Sequence, residues 1–255
     1  MESDRDRAVA RERALERIKH NIATHGFHIY VVQGNGPTPR FVYTIGLRES
    51  LGAEVVLAGA LSYEKKKDVL VIVDSLVEQL GKDAGDAAPA AWQSRFTVDE
   101  LGSFSFRSAD SSWTRSLLLG ALDYYGLEDV AAFQIVPDDQ HMTIDVPRMD
   151  REWNADTEPI WRWKHEPWPY PVPAASEAMT NLDALRGRRI TEACRWEDDY
   201  WEMFAGAGPD VPKDAARLVP LGCLLAADPS LVRAIDLPIG RGVRRDSDGG
   251  DWRPW

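Results

Sequence analysis

"FVYTIGLRES", running from Phe41 to Ser50, is the stretch on which the reading of the fold turns. Phe41, Tyr43 and Ile45 alternate with Val42, Thr44 and Gly46, which is the two-residue period of a strand. At its end the Thr44 hydroxyl can donate and accept, and Gly46 lets another group approach the backbone closely. Upstream, "FHIYVVQ" (27–33) is β-branched and aromatic, and "GNGPTP" (34–39) is turn chemistry, so Phe41–Ile45 reads as the returning arm of a hairpin. Downstream, "EVVLAGAL" (54–61) reads as a third strand, with Glu54 placed beside the same sheet end.

Working outward, residues 7–24 carry Val9, Leu15, Ile18 and Ile22 near a 3.6-residue period, which predicts a helix stopped at Gly26. "SYEKKKDVLVIVDSLVEQLGK" (62–82) predicts a second helix, capped by Ser62. Gly81 to Ala91 is alanine- and glycine-rich and reads as a weak helix or a loop. "FTVDELGSFSFRSAD" (96–110) reads as two short strands around Gly102. "SSWTRSLLLGALDYYG" (111–126) reads as one helix capped by Ser111 or Ser112, and "VAAFQIVPD" (130–138) as a strand halted by Pro137.

The composition shifts near residue 150. "REWNADTEPIWRWKHEPWPYPVP" (151–173) concentrates prolines with Trp153, Trp161, Trp163 and Trp168. Proline removes backbone donors, so this is a connector, and indoles are costly to leave in water, so it is expected to pack onto its neighbours. The expected organisation is an α+β domain over 1–150, the connector over 151–173 and a second α+β domain over 174–255. Each has a mainly antiparallel sheet with packed helices. In the second domain, "RRITEACRWEDD" and "YWEMFAG" read as two strands around an acidic turn. "AARLVPL" reads as a third strand, "LGCLLAADPSLVRAIDLP" as two helical turns broken at Pro229, and "GRGVRRDSDGGDW" as a last strand and polar tail.

The 255 residues carry a formal net charge of −11 and a sequence pI near 5.0. The negative charge is spread over both halves, and the basic runs Lys65–Lys67 and Arg186–Arg189 are short, so no nucleic-acid partner is expected. No stretch reaches the roughly 20 apolar residues of a membrane helix, and "MESDRDRAVARERALERIKH" lacks the apolar core of a signal peptide. A cytoplasmic protein without a membrane partner is therefore expected. Cys194 and Cys223 have neither CxxC spacing nor a Cys/His cluster around them and read as buried reduced thiols.

No set of residues has the spacing of a catalytic or metal centre. His25 and His28 are three apart, but Gly26 breaks the helix between them, and no metal is expected. GxSxG is absent. Asp138, after Pro137, suits either a functional acid or a turn in which aspartate bonds its own backbone, and the turn is favoured. His28, Tyr43, Thr44, Gly46, Glu54 and Asp138 remain as candidate ligand-binding residues, with a plain strand exit as the favoured account of Thr44 and Gly46.

"NIATHGFHIYVV", "PRFVYTIGL", "AEVVLAGAL" and "LLLGALDYYG…AAFQIVPDD" together resemble a bacterial family of domains of unknown function, numbered 4262. The matching positions are Gly26, Phe27, His28, Phe41, Tyr43, Thr44, Gly46, Leu47, Glu54, Tyr125, Gly126, Gln134, Pro137 and Asp138. The segment 188–252 resembles a bacterial immunity-protein family, numbered 2185, through Trp201, Phe204, Gly206, Asp228, Pro229, Leu231, Leu237, Pro238, Gly240, Arg245, Asp246 and Trp252. That second resemblance implies a non-catalytic protein that neutralises a cognate protein toxin. Trp196, Glu197, Asp198, Asp199, Tyr200 and Trp201 are then expected to form the partner-binding surface, with no cofactor. The alternative is a flavin- or nucleotide-binding, split-barrel-like oxidoreductase in which Thr44 and Gly46 hold the cofactor phosphate and His28 or Tyr43 approaches the ring.

Overall fold

A computed structural model of the chain describes residues 4–33, 36–63, 65–83, 92–206, 211–246 and 250–254. Gly34 and Asn35 of the expected turn, residues 84–91 of the alanine-rich stretch and residues 247–249 of the tail lie outside these. The class is α+β, with two six-stranded sheets.

The first sheet holds β1 (His28–Val32), β2 (Phe41–Ile45), β3 (Glu54–Ala58), β4 (Arg95–Val98), β5 (Gly102–Ser108) and β6 (Ala132–Pro137) in the order β1-β2-β3-β6-β5-β4. All its pairs are antiparallel except the central β3–β6 pair. The expected hairpin forms, with His28 opposite Ile45 and Val32 opposite Phe41. Every residue of β2 and β3 is buried, because both faces are covered. On one face Val42, Val55 and Leu57 meet Ile72, Val73, Leu76 and Leu80 of α3 (Lys66–Asp83). On the other, Tyr43, Ile45 and Val56 meet Ile18 of α1 (Asp4–His25) together with Trp113, Leu117 and Ala121.

Two helix expectations are corrected. Ser62 does not cap α3, which starts at Lys66; the Ser62 hydroxyl donates to the His141 carbonyl instead, at 2.8 Å. The expected single helix at 111–126 is two, α4 (Ser111–Leu117) and α5 (Leu119–Tyr125), broken at Leu118. Trp113, Leu117 and Ala121 follow one stripe, but Leu118 is also fully buried, and re-phasing the helix there turns both leucines inward. The cap is Asp110, whose side chain accepts from the Ser112 N–H at 2.9 Å. The structure also contains the short helix α2 (Leu47–Leu51), which has no apolar period to announce it.

The second sheet runs β10-β7-β9-β8-β11-β12, from β7 (Glu177–Asn181), β8 (Glu192–Arg195), β9 (Tyr200–Phe204), β10 (Ala216–Pro220), β11 (Arg241–Arg244) and β12 (Arg253–Pro254). β7–β9 is its one parallel pair among the described residues. The β8–β9 hairpin, β10 and the helical turns split at Pro229 fall where the sequence placed them. β7 was not anticipated, since "EAMTN" has little strand propensity; it leads into α6 (Leu182–Leu185). Helix α7 (Leu221–Ala227) lies behind this sheet and is buried almost along its whole length.

The connector is packed, not solvated. Trp161 is buried at 1% exposure, stands edge-on to Trp113, and donates its indole N–H to the Asp145 carbonyl at 2.9 Å. Trp163 donates to the Gly222 carbonyl of α7 at 3.0 Å. Gly222 itself is required by contact: a Cβ there would lie 2.5 Å from both the Cβ and the carbonyl oxygen of Pro37. One apolar core therefore runs from Ile18 and Tyr43 through Trp161 to Trp201 and Leu224. Both cysteines are buried and unpaired, and burial pushes the Cys223 thiol well above its ordinary pKa. Among the described residues, no helix is long and apolar enough to cross a membrane.

Because Trp161 joins material from both sheets, Trp161→Ala is expected to cost about 3–5 kcal/mol in urea unfolding, the usual loss for truncating a buried aromatic. A loss under about 1 kcal/mol would show that the connector is not part of the shared core.

Candidate functional site

Three of the six candidate ligand-binding residues meet at one point. Glu54 opens β3 with no exposure at all, directly beside the exit of β2. Its Oε1 accepts from the Gly46 N–H (3.0 Å), the Arg48 N–H (3.1 Å) and the Tyr125 hydroxyl (2.6 Å). Its Oε2 accepts from the Thr44 hydroxyl (2.7 Å) and the Leu47 N–H (3.3 Å). Thr44 is committed on both sides, since its oxygen also accepts from the Val55 N–H at 3.0 Å. Tyr125 likewise accepts from the Gly46 N–H at 2.8 Å. Burial, and then the Glu54 carboxylate it donates to, raise the Tyr125 phenol above its ordinary pKa.

This geometry accounts for the spacing of "YTIGL". Gly46 sits at φ +119°, and a Cβ there would stand 3.0 Å from both the Gly26 carbonyl oxygen and Ile22 Cγ1. Glycine is needed for the turn and for the close approach of α1. The turn aims three consecutive N–H groups, of Gly46, Leu47 and Arg48, at one spot. That spot is an anion receptor, and the anion in it is the chain's own Glu54. The sequence favours a plain strand exit at Thr44 and Gly46, with a phosphate or flavin edge as the alternative; the structure gives both residues a covalently attached carboxylate and leaves neither on the surface.

Tyr43 and His28 point away from Thr44, toward the face of the sheet that α1 covers. The Tyr43 hydroxyl accepts from the Gly120 N–H at 2.9 Å, and its ring stacks on Tyr30 with centroids 5.2 Å apart. His28 Nδ1 lies 2.8 Å from the Asn21 amide nitrogen, which has the donor, so the ring proton is on Nε2. Burial, and then Arg17, lower the His28 pKa. Asp138 is farther away, at the other end of β6, about 20 Å along the strand from the level of Glu54.

Asp138 forms the turn that the sequence favoured, and it also does something the sequence did not show. Its Oδ1 accepts from the N–H groups of Gln140 and His141 (both 3.1 Å), and its Oδ2 from the Ser103 N–H (2.7 Å). The same Oδ1 lies 2.7 Å from His141 Nδ1. The imidazole stacks on Tyr63, with centroids 5.2 Å apart and 8° between planes, while the Tyr63 hydroxyl donates to the Leu101 carbonyl. Gly102, at φ +103°, leaves room for the pair: a Cβ would fall 2.6 Å from His141 Nδ1 and 2.7 Å from Asp138 Oδ2. The available signal was an aspartate and a histidine three apart after a strand end. It is a weak one, because that spacing is common in turns.

The expected partner-binding residues divide by exposure. Trp196 is 44% exposed at the tip of the β8–β9 hairpin, beside exposed Glu197, Asp198 and Asp199, with Tyr200 half-buried. Trp201 is different: it has no exposure and donates its indole N–H to the Ala234 carbonyl at 3.0 Å. A strand points successive side chains to opposite faces, so Trp201 is core beneath the tip. Among the described residues, no group of three or more His, Cys, Asp or Glu is placed to hold a metal.

Residues 21–143 match the family model "Domain of unknown function (DUF4262)". The match takes in Glu54, Thr44, Tyr125, Asp138 and His141, the whole of both networks in the first unit. No curated protein and no solved structure matches the chain.

If Glu54 is the internal ligand of this turn, Glu54→Gln leaves buried N–H groups facing an amide and is expected to cost about 2–5 kcal/mol, more than the roughly 1.5–3 kcal/mol of Tyr125→Phe. Chemical unfolding of the two variants checks the order, and the reverse order would refute this role for Glu54. The Asp138 carboxyl opens a second test. Burial works against its ionisation, but the Ser103 N–H, the His141 ring and the His141 N–H outweigh it and hold its pKa below the ordinary value. Its contribution to stability is present above the unfolded aspartate pKa and is lost as pH falls through the folded one. Unfolding followed from pH 7 downward should show a shallower loss in Asp138→Asn than in the wild type.

Proposed function

We propose that this chain is a non-catalytic binding protein of the immunity or defence type, which neutralises a basic protein toxin by covering it. The observation that carries this reading is the β8–β9 tip, where an exposed tryptophan stands among three exposed carboxylates on a rigid base. Trp196 and Glu197 both donate their N–H groups to the Tyr200 carbonyl, at 3.0 and 3.2 Å. Beneath them the Arg195 guanidinium bonds the carbonyls of Glu197, Asp198, Ile235 and Leu237 at 3.1–3.2 Å, and lies 5.0 Å over the Trp201 ring.

A tip held this way loses little freedom on binding, so its contacts are not spent on ordering it. Exposed tryptophan is the side chain most often found to dominate an interface, and a ring of carboxylates steers a cationic partner toward it. The formal charge of −11 extends the same attraction over the whole surface. The resemblance of residues 188–252 to immunity proteins supports the reading. So does the enclosure of Thr44, Gly46 and Glu54, which removes the contacts on which a flavin-binding site would depend.

The test is the complex with the toxin encoded beside the gene for this chain. Combining Glu197→Lys, Asp198→Lys and Asp199→Lys should lower the association rate at least about tenfold at low salt and flatten its salt dependence. Trp196→Ala should act mainly by faster dissociation. Equal affinity of the wild type and both variants, or the absence of any complex with that toxin, would refute the proposal.

A further inference from the structure

The Asp138–His141 pair opens onto a cleft of about 710 Å³ where the two sheet units meet. Arg186, after α6, reaches across it to the Gln140 carbonyl at 2.8 Å, and Arg217 of β10 bonds the Ser62 carbonyl through two nitrogens at 2.9 and 2.8 Å. The cleft therefore has one wall from each unit. On the first unit's wall stand Lys65, Asp68, Glu100, Asp139 and His141, three carboxylates against one ammonium; on the second unit's wall the charged residues are Arg186 and Arg217.

The imidazole in this cleft is held more firmly than a surface turn requires. Its Nδ1 faces a carboxylate that three backbone N–H groups fix in place, its ring is stacked on a buried tyrosine, and a positive-φ glycine makes room behind it. In the neutral imidazole, hydrogen bonding of Nδ1–H to a carboxylate puts the proton on that nitrogen and leaves Nε2 as the acceptor. The His141 side chain is 27% exposed and lines the cleft.

We propose that this cleft is a binding site for a small zwitterion, a free amino acid being the simplest case. Its ammonium group donates to His141 Nε2 between the carboxylates of the first wall, and its carboxylate turns to Arg186. A purely anionic ligand would meet the three carboxylates, and a purely cationic one the two arginines. Only a ligand with both signs is complementary to both walls. Arg217, largely occupied by carbonyls, contributes positive field, and Arg186 the contact. This site is separate from the β8–β9 tip and lies on a different part of the chain.

The test uses the full-length protein with glycine, L-glutamine, acetate and methylammonium as probes. Binding is read from the His141 ring nitrogens in long-range ¹H–¹⁵N spectra and from calorimetry. At least one of the two amino acids should shift the His141 Nε2 resonance and bind at least about tenfold more tightly than acetate or methylammonium. Arg186→Ala, an exposed substitution that leaves the core alone, should weaken that binding about tenfold or more, with partial recovery in Arg186→Lys. Trp196→Ala should leave it unchanged. No change in the ring resonances with either amino acid at about 10 mM would overturn the proposal. So would acetate binding as tightly as the amino acids, or binding that survives Arg186→Ala undiminished.

Discussion

A buried carboxylate in a sheet is stable only when donors surround it, and the first unit is arranged so that they do. Glu54 enters the core with five donors, three of them consecutive backbone N–H groups that the Gly46 turn points inward. Much follows from this. The exit of β2 is fixed relative to the start of β3, and α2 has its first N–H groups satisfied without a capping side chain of its own. Tyr125, near the end of α5, is tied to the same point, so the helix pair is located against the sheet by a charge as well as by apolar contact.

The second unit solves a similar problem with the opposite sign. Arg245, at 6% exposure, bonds the Ile190 carbonyl (2.8 Å), the Ser230 hydroxyl (2.6 Å) and Asp228 Oδ2 (2.6 Å), and lies 4.1 Å from the centre of the Trp252 ring. Burial opposes ionisation of Asp228, yet its bonds to Ser230 and Arg245 keep its pKa below the ordinary value. Asp228, Arg245 and Trp252, distant along the chain, are thus one ion-pair and aromatic cluster that closes the second sheet over the helical turns after Pro229. Between the two units, Gly222 against Pro37 and Trp161 against Trp113 make close-packed contacts that leave no room for a solvent layer.

These two satisfied charges bear on function by subtraction. Groups that looked available for a ligand are already bonded within the chain, and what is displayed lies elsewhere. The hairpin tip presents tryptophan and carboxylates from a base stiffened by Arg195, a form suited to a protein surface. The cleft holding His141 is smaller, carries both signs of charge and is walled by both units, a form suited to a small molecule. The two proposed sites use different residues.

Sequence alone determined the class of fold, the hairpin, the acidic tip and the packing of the connector tryptophans against the core. Each of these rests on neighbours within a few residues: alternation, turn chemistry, the cost of wetting an indole. It could not show that Leu118 breaks a helix, since a periodic stripe hides a second inward leucine until the core that receives it exists. Nor could it find β7, whose strand state comes from its place between β10 and β9 and not from its own residues. The meaning of Thr44, Gly46 and Glu54 was decided only by tertiary structure. Glutamate beside a glycine turn reads the same whether the turn waits for a phosphate or is filled, and only packing at zero exposure tells them apart. Likewise His141 became notable through Tyr63 and Arg186, because proximity across 78 and 45 residues is a property of the folded chain.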